Sequence, residues 1–269
     1  MKIKPFLMGL LSYLPIFNKF LLNRSSTGGT DSARYCYSVW LRHLVHAKKS
    51  GLNINPQIIG ELGPGDSIGV GLAALISGSE QYFAFDVVSY ASITKNNKIF
   101  DELVTLFKEK TAIPGDEEFP RVKPNLDSYD FPYDILDEKR MKISLQKSRL
   151  EKIKNSIKNA NSPNSLISYF APWSDKKNIK RDSVDMIFSQ AVLEHVEDLQ
   201  SVYRTIHSWL KPKGYSSNQI DFKSHGFSNE WNGHWTYSSL FWKLTIGRRP
   251  WTFINREPCS SHKIKIKNA

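Results

Sequence analysis

The chain has 269 residues, 40% of them hydrophobic and 12% aromatic, with a formal charge of +11 at neutral pH. That length suits one sizeable domain with embellishments rather than two full domains, and the apolar share excludes a disordered chain. The two cysteines, Cys36 and Cys259, stand far apart and match no ligand spacing, so neither a disulfide framework nor a metal site is expected, and a reducing compartment is.

The segment from Met1 to Leu22 is apolar and aromatic behind Lys2 and Lys4. Pro15 interrupts it and no small-residue cleavage site follows, so it does not read as a signal peptide. It is also too short and broken for a transmembrane span. Two readings remain for Phe6, Leu7, Leu10, Leu11 and Leu14. One is a helix packed on the domain, slightly favoured; the other is a helix lying in a membrane surface. The expected location is cytoplasmic, with peripheral contact at the inner face of the membrane as the alternative.

Gly28-Gly29-Thr30-Asp31 is a loop in which Thr30 or Asp31 can cap a helix. Ala33, Tyr37, Trp40, Leu41, Leu44 and Val45 then share one helical stripe, and Gly51 provides a stop. Residues 1–52 thus read as an N-terminal helical or lid segment, and residues 53–269 as the main domain.

Gln57–Leu62 reads as a buried strand carrying an acid, Glu61, followed by glycines at 63, 65 and 69 and a helix from Ser67 to Ile76. Glycine lets the backbone turn tightly and approach a ligand, and in an open α/β sheet such a turn sits where ligands bind. A dinucleotide would bring its pyrophosphate here, where the Glu61 carboxylate repels it. A ligand with an ammonium and a sulfonium is attracted instead, which points to S-adenosylmethionine. Gln81–Asp86 reads as a second strand, again ending in an acid. Asp86 then lies beside the turn, able to accept hydrogen bonds from ribose hydroxyls. Each acid alone also fits a plainer role, Glu61 capping a turn and Asp86 a helix.

Further along, Ile99–Lys110 reads as a helix, Ile113–Pro132 as a proline- and aspartate-rich loop, and 138–159 as a charged helix. Together, 111–163 form an insertion of the kind that makes lids or substrate walls. Lys139, Arg140, Lys142, Lys147, Arg149, Lys152, Lys154 and Lys158 crowd this helix against Glu138 and Glu151. They read as a solvated face in preference to a patch for nucleic acid, anionic lipid or a phosphorylated substrate, and the lack of interleaved aromatics weighs against single-stranded nucleic acid. Leu166–Tyr169 and Val184–Ser189 read as strands, Asp198–Leu210 as a helix broken by Lys211-Pro-Lys-Gly214, and Tyr215–Phe222 as a fifth strand. Strands alternating with helices indicate a doubly wound α/β fold with a mostly parallel sheet.

Asp185-Met-Ile-Phe-Ser-Gln-Ala-Val-Leu-Glu-His-Val-Glu-Asp-Leu199, a strand flowing into a short turn, completes the pattern. With it, residues 57–222 resemble the class I S-adenosylmethionine-dependent methyltransferases of small-molecule type, whose fold is Rossmann-like. The resemblance implies that Glu61, Gly63 and Gly65 surround the methionine moiety, that Asp86 binds ribose with Val87 beside adenine, and that Phe170 and Ala171 flank that ring. Ser189 and Gln190 match the position beneath the cofactor. It implies methyl transfer to a small molecule, with a hydroxyl of a sugar or lipid-linked intermediate expected. An RNA methyltransferase using the basic insertion is the alternative, as is a binding protein that lost activity with a C-terminus shorter than the family's. His225, His234 and Asp221 are candidate proton acceptors for a hydroxyl substrate. Arg34 and Tyr35 are candidates to close over the methionine carboxylate. His195 reads as packing, and Trp40, Trp209 and Trp242 as core. The tail Lys263-Ile-Lys-Ile-Lys267 is expected as one short edge strand.

Overall fold

The computed structural model describes residues 3–14, 29–173, 179–247 and 253–269. Pro15, Gly28 and the stretch up to Leu22 lie outside the described residues. Two compact units emerge, one comprising Ser26–Gln190 with Ser208–Gln219, the other Met1–Ser25, Ala191–His207 and Ile220–Ala269. The division expected after residue 52 is not where the units part, because the first long helix and the 111–163 insertion both pack into the sheet's core.

That core unit is built on five parallel strands, β1 (Ile58–Leu62), β2 (Gln81–Phe85), β3 (Ile167–Phe170), β4 (Val184–Gln190) and β5 (Leu210–Gln219), in the order β3-β2-β1-β4-β5. The order reverses at β1, so the β1/β4 crevice is the switch point where ligands bind in such sheets. The fold is α/β and Rossmann-like. Among the described residues every strand pairing is parallel, where a mostly parallel sheet was expected.

Helix α2 (Ala33–Lys49) carries the expected apolar stripe and stops at Gly51, whose φ is +66°. Its cap is Ser32, which accepts from the Tyr35 amide, rather than Thr30 or Asp31. Thr30 is engaged elsewhere: its hydroxyl accepts from the Ser67 amide at 3.3 Å and its carbonyl from the Ser67 hydroxyl. Helix α3 (Gly69–Ile76) is buried on every side, as its all-round apolar sequence requires. It approaches β2 so closely that a Cβ on Gly71 would lie 2.1 Å from the Tyr82 ring.

Helix α4 runs Ile93–Lys108, starting before Ile99 because Ser92 caps it. The expected single helix over 138–159 is two, α5 (Glu138–Ser144) and α6 (Lys147–Lys158). Arg140 and Arg149 explain the break. On one straight helix they would stand about two and a half turns apart, on opposite sides. Here both reach the C-terminal end of α3, Arg140 donating to the Ser77 carbonyl at 2.8 Å and Arg149 to those of Leu75 and Ser79 at 3.0 and 2.6 Å. They satisfy helix-end carbonyls that carry partial negative charge. The Ile113–Pro132 loop is likewise anchored, since buried Arg42 donates to the Pro124 carbonyl at 2.6 Å.

β5 begins earlier than expected. Lys211-Pro-Lys-Gly214 forms an irregularity between the pairs Val184↔Leu210 and Met186↔Tyr215, with Lys213 at φ +69°. The ion pair of Lys211 with Asp185, 2.8 Å, holds this stretch against β4. β5 ends at Gln219, short of Phe222.

In the second unit, α1 (Ile3–Leu11) packs on α8 (Ser239–Ile246) through stacked Phe6 and Phe241 rings, 4.8 Å apart. Helix α7 (Leu199–Trp209) supplies Tyr203, whose hydroxyl meets His262 Nδ1 at 2.7 Å. His262 lies on α9 (Cys259–Lys267), so the tail is a helix and not an edge strand. The alternation of Lys and Ile suggested a period of two. The helix wins because it buries His262 beside Tyr203 and Phe222, leaving Ile264 and Ile266 exposed. No helix among the described residues is long and apolar enough to cross a membrane.

Gly71→Ala is expected to lower the melting temperature by several degrees, the usual result of about 1–3 kcal/mol of overpacking. Calorimetric or circular-dichroism melting checks this.

Candidate functional site

The turn after β1 depends on two residues in the left-handed region, Gly63 at φ +66° and Gly65 at φ +72°, a conformation glycine adopts without steric cost. The Gly63 amide donates to the Phe85 carbonyl at 2.8 Å, stitching the turn to the tip of β2. The Gly65 amide donates to Asp86 Oδ2 at 3.0 Å, while Oδ1 accepts from the Val87 amide at 2.7 Å. Asp86 is buried, and that burial raises its pKa against the opposing effect of these amides. A carboxylate has about four lone-pair sites, so each oxygen retains capacity for another donor. Val87 stands exposed beside it.

Glu61 is placed differently from the carboxylate that the sequence suggests at this turn. It is buried beneath the backbone, where Oε2 accepts from the Tyr82 hydroxyl. The Gly71 amide also bonds to it, but burial dominates and pushes its pKa up to about 8. Glu61 is thus chiefly protonated at neutral pH and links β1, β2 and α3 under the turn. Asp86 contributes to this rise through like charge.

The remaining candidates of this unit also line up at strand ends. Phe170 ends β3, and its carbonyl accepts from the Asp86 amide at 2.9 Å; Ala171 follows. Ser189, opposite Leu62, is buried and donates to Asn218 Oδ1 at 2.9 Å. Gln190 donates to the Lys123 carbonyl at 3.3 Å, tying β4 to the insertion. All nine positions therefore gather at the carboxyl edge of four adjacent strands. Arg34 forms a two-point ion pair with Glu118, 2.6 and 2.7 Å, and Tyr35 packs edge-on to Phe119. Both are engaged by the insertion.

His225, Asp221 and His234 belong to the second unit. His225 Nε2 lies 3.4 Å from Asp221 Oδ2, which holds the histidine pKa above its ordinary value and the aspartate below. His234 is buried beside Trp242, and burial lowers its pKa to about 4, leaving a neutral ring and a weak base. Glu194, in the short turn Leu193–His195, accepts from the Asp221 amide at 3.3 Å, and burial raises its pKa to about 7. His195 Nδ1 is bonded to the Phe253 carbonyl at 2.6 Å, in keeping with a packing role. Among the described residues, no group of three or more His, Cys, Asp or Glu is arranged to hold a metal ion.

Five residues have partners that their place in the sequence did not reveal: Tyr82, Thr30, Glu194, Arg140 and Arg149. Tyr82 sits at an inward position of β2 and looks like any core aromatic, so only its partner reveals it. Glu194 lies within the quoted motif, and a buried acid there was a signal that could have been taken.

Residues 141–217, from α5 to β5, match a family model described as methyltransferase domain. The match begins after the glycine turn and Asp86. No curated protein and no solved structure matches the chain. The α/β Rossmann-like fold with its five parallel strands is consistent with that of the class I S-adenosylmethionine-dependent methyltransferases.

Glu61 yields a stability prediction. Its folded pKa, about 8, exceeds the ordinary 4.5. Its contribution is full below pH 4.5, falls as pH rises through about 8, and is gone above it. Glu61→Gln keeps the bond to Tyr82 without the ionisation. Its melting temperature should match the wild type at pH 5 and exceed it at pH 9.

Proposed function

Given a methyltransferase domain on this fold, we propose that the chain binds S-adenosylmethionine at the Gly63–Gly65 turn and transfers its methyl group to a small-molecule hydroxyl. The observation that carries this reading is the Gly65–Asp86 bond, which sets an acceptor-only carboxylate beside the half-buried glycine turn at the tips of β1 and β2. Asp86 suits the two ribose hydroxyls, and exposed Val87 suits the apolar face of adenine. The cofactor supplies a methyl carbon activated by a sulfonium, so positioning provides much of the acceleration.

The chain's own contribution at the methionine end is Glu61. A bound ammonium within Coulomb reach favours the ionised carboxylate and lowers its pKa. Cofactor binding near pH 7 is then accompanied by release of a proton from Glu61. His225, poised by Asp221, is the proposed acceptor of the substrate's proton. A sugar or lipid-linked hydroxyl is the proposed acceptor class. Arg140 and Arg149 face inward to cap α3, which thins the basic surface a nucleic acid would need and favours the small substrate.

Calorimetry in buffers of different ionisation enthalpy tests the binding step. The expected result is proton release at pH 7 that disappears in Glu61→Gln. Asp86→Ala should weaken binding by about tenfold to a hundredfold, as expected for hydrogen bonds to a charged group. No heat with the cofactor or its demethylated product would overturn the proposal.

Transfer from methyl-labelled cofactor into small-molecule extract fractions tests turnover. Binding without transfer would leave a cofactor-binding protein. Once an acceptor is identified, the rate should rise with pH through a pKa above 6.5. Asp221→Asn should move that limb to lower pH, because removing the partner carboxylate removes the stabilisation of imidazolium.

A further inference from the structure

Helix α1 presents two faces of different character. On one, Phe6 stacks on Phe241, and Gly9 lies against the backbone of Leu244 and Thr245, where a Cβ would come within 2.2 Å. The other holds Ile3, Leu7 and Leu10, continued by Leu14, which are 64%, 51%, 38% and 51% exposed. At the pitch of an α-helix the first three fall within an arc of about 60°. Leu240 on α8, 70% exposed, adds a fifth apolar side chain.

The two stretches of chain that carry this pair of helices hold charge of one sign. No Asp or Glu occurs before Asp31 or between Trp231 and Arg256, while Lys4 and Lys243 are exposed on the two helices themselves. We propose that the α1 stripe, with Leu240, docks the protein in plane on an anionic lipid bilayer, with Lys4 and Lys243 meeting the headgroups. An apolar helix face flanked by lysines is the form of an interfacial helix. Attraction to a negative leaflet adds to apolar burial. A second copy fits less well. Each partner would bring lysines of the same sign, and one face of a helix about 14 Å long falls short of a stable dimer interface.

Binding to vesicles of phosphatidylcholine with roughly one-third phosphatidylglycerol, read by co-sedimentation of the full chain without cofactor, tests this surface. The expected result is retention on these vesicles, loss on pure phosphatidylcholine, and release as salt is raised. Leu7→Gln with Leu10→Gln should reduce retention at least about tenfold, with only a small change in melting temperature because both side chains are partly exposed already. Lys4→Glu should reduce it about fivefold or more.

Wild-type protein remaining in the supernatant would overturn the proposal. So would equal retention of the double variant, which would assign binding to another basic surface. Self-association abolished by the same substitutions, without vesicle binding, would assign the stripe to a second copy. The readout involves neither cofactor nor methyl transfer, so it fails independently of the catalytic reading.

Discussion

A carboxyl group buried beneath the glycine turn is the constraint on which the sheet unit depends. Glu61 accepts from the Tyr82 hydroxyl and the Gly71 amide, so one side chain joins β1, β2 and α3. Unpaired, a polar group at such depth costs several kilocalories per mole; paired, it sets the register of the pieces around it. The same contact explains why α3 needs glycine at 71. The Tyr82 ring must lie against the helix backbone for its hydroxyl to reach Glu61, and no side chain fits between.

From that anchor the site is assembled outward. The turn above Glu61 takes two left-handed glycines, and its amides are fastened to β2 by the Phe85 carbonyl and the Asp86 carboxylate. From the N-terminal side, Thr30 clasps Ser67 at the start of the following helix. Arg140 and Arg149 secure the far end of α3, and Arg42 fixes the loop that leads to them. The insertion therefore acts as a buttress. Its loop contributes Ile113, Val122, Leu126 and Phe131 to the core, and its carbonyl at Lys123 receives Gln190 at the tip of β4.

The two units divide the chemistry. One contains the turn, Asp86 and the strand ends suited to a nucleoside. The other contains the Asp221–His225 pair, the buried Glu194 carboxyl and the helix pair with its outward apolar stripe. Opposite pKa displacements in one small cluster, His225 upward and His234 downward, have different leading causes: the Asp221 carboxylate for the first, and burial, joined by the Arg256 and His225 charges, for the second. This separates a histidine able to carry charge from one that stays neutral, which the sequence showed only as two histidines in a polar, aromatic segment.

The strands and their parallel arrangement were legible in the sequence because buried strands are apolar runs with sharp ends, and the acid–glycine turn is local in the chain. Gly63, Gly65 and Asp86 could be placed together for that reason. Partnerships between distant residues were not legible. Arg140 and Arg149 looked like members of a solvated face until the end of α3 supplied their acceptors. Lys263-Ile-Lys-Ile-Lys267 looked like a strand until His262 found Tyr203. Glu61 looked like an open carboxylate until Tyr82 closed over it. The sequence by itself determined the fold class and the position of the glycine turn, since both follow from local patterns of apolar residues and glycine. Only the tertiary structure decided which charges face inward and which acids stay protonated, because burial and the partner across the fold set a group's ionisation, and neither is written in its neighbours along the chain.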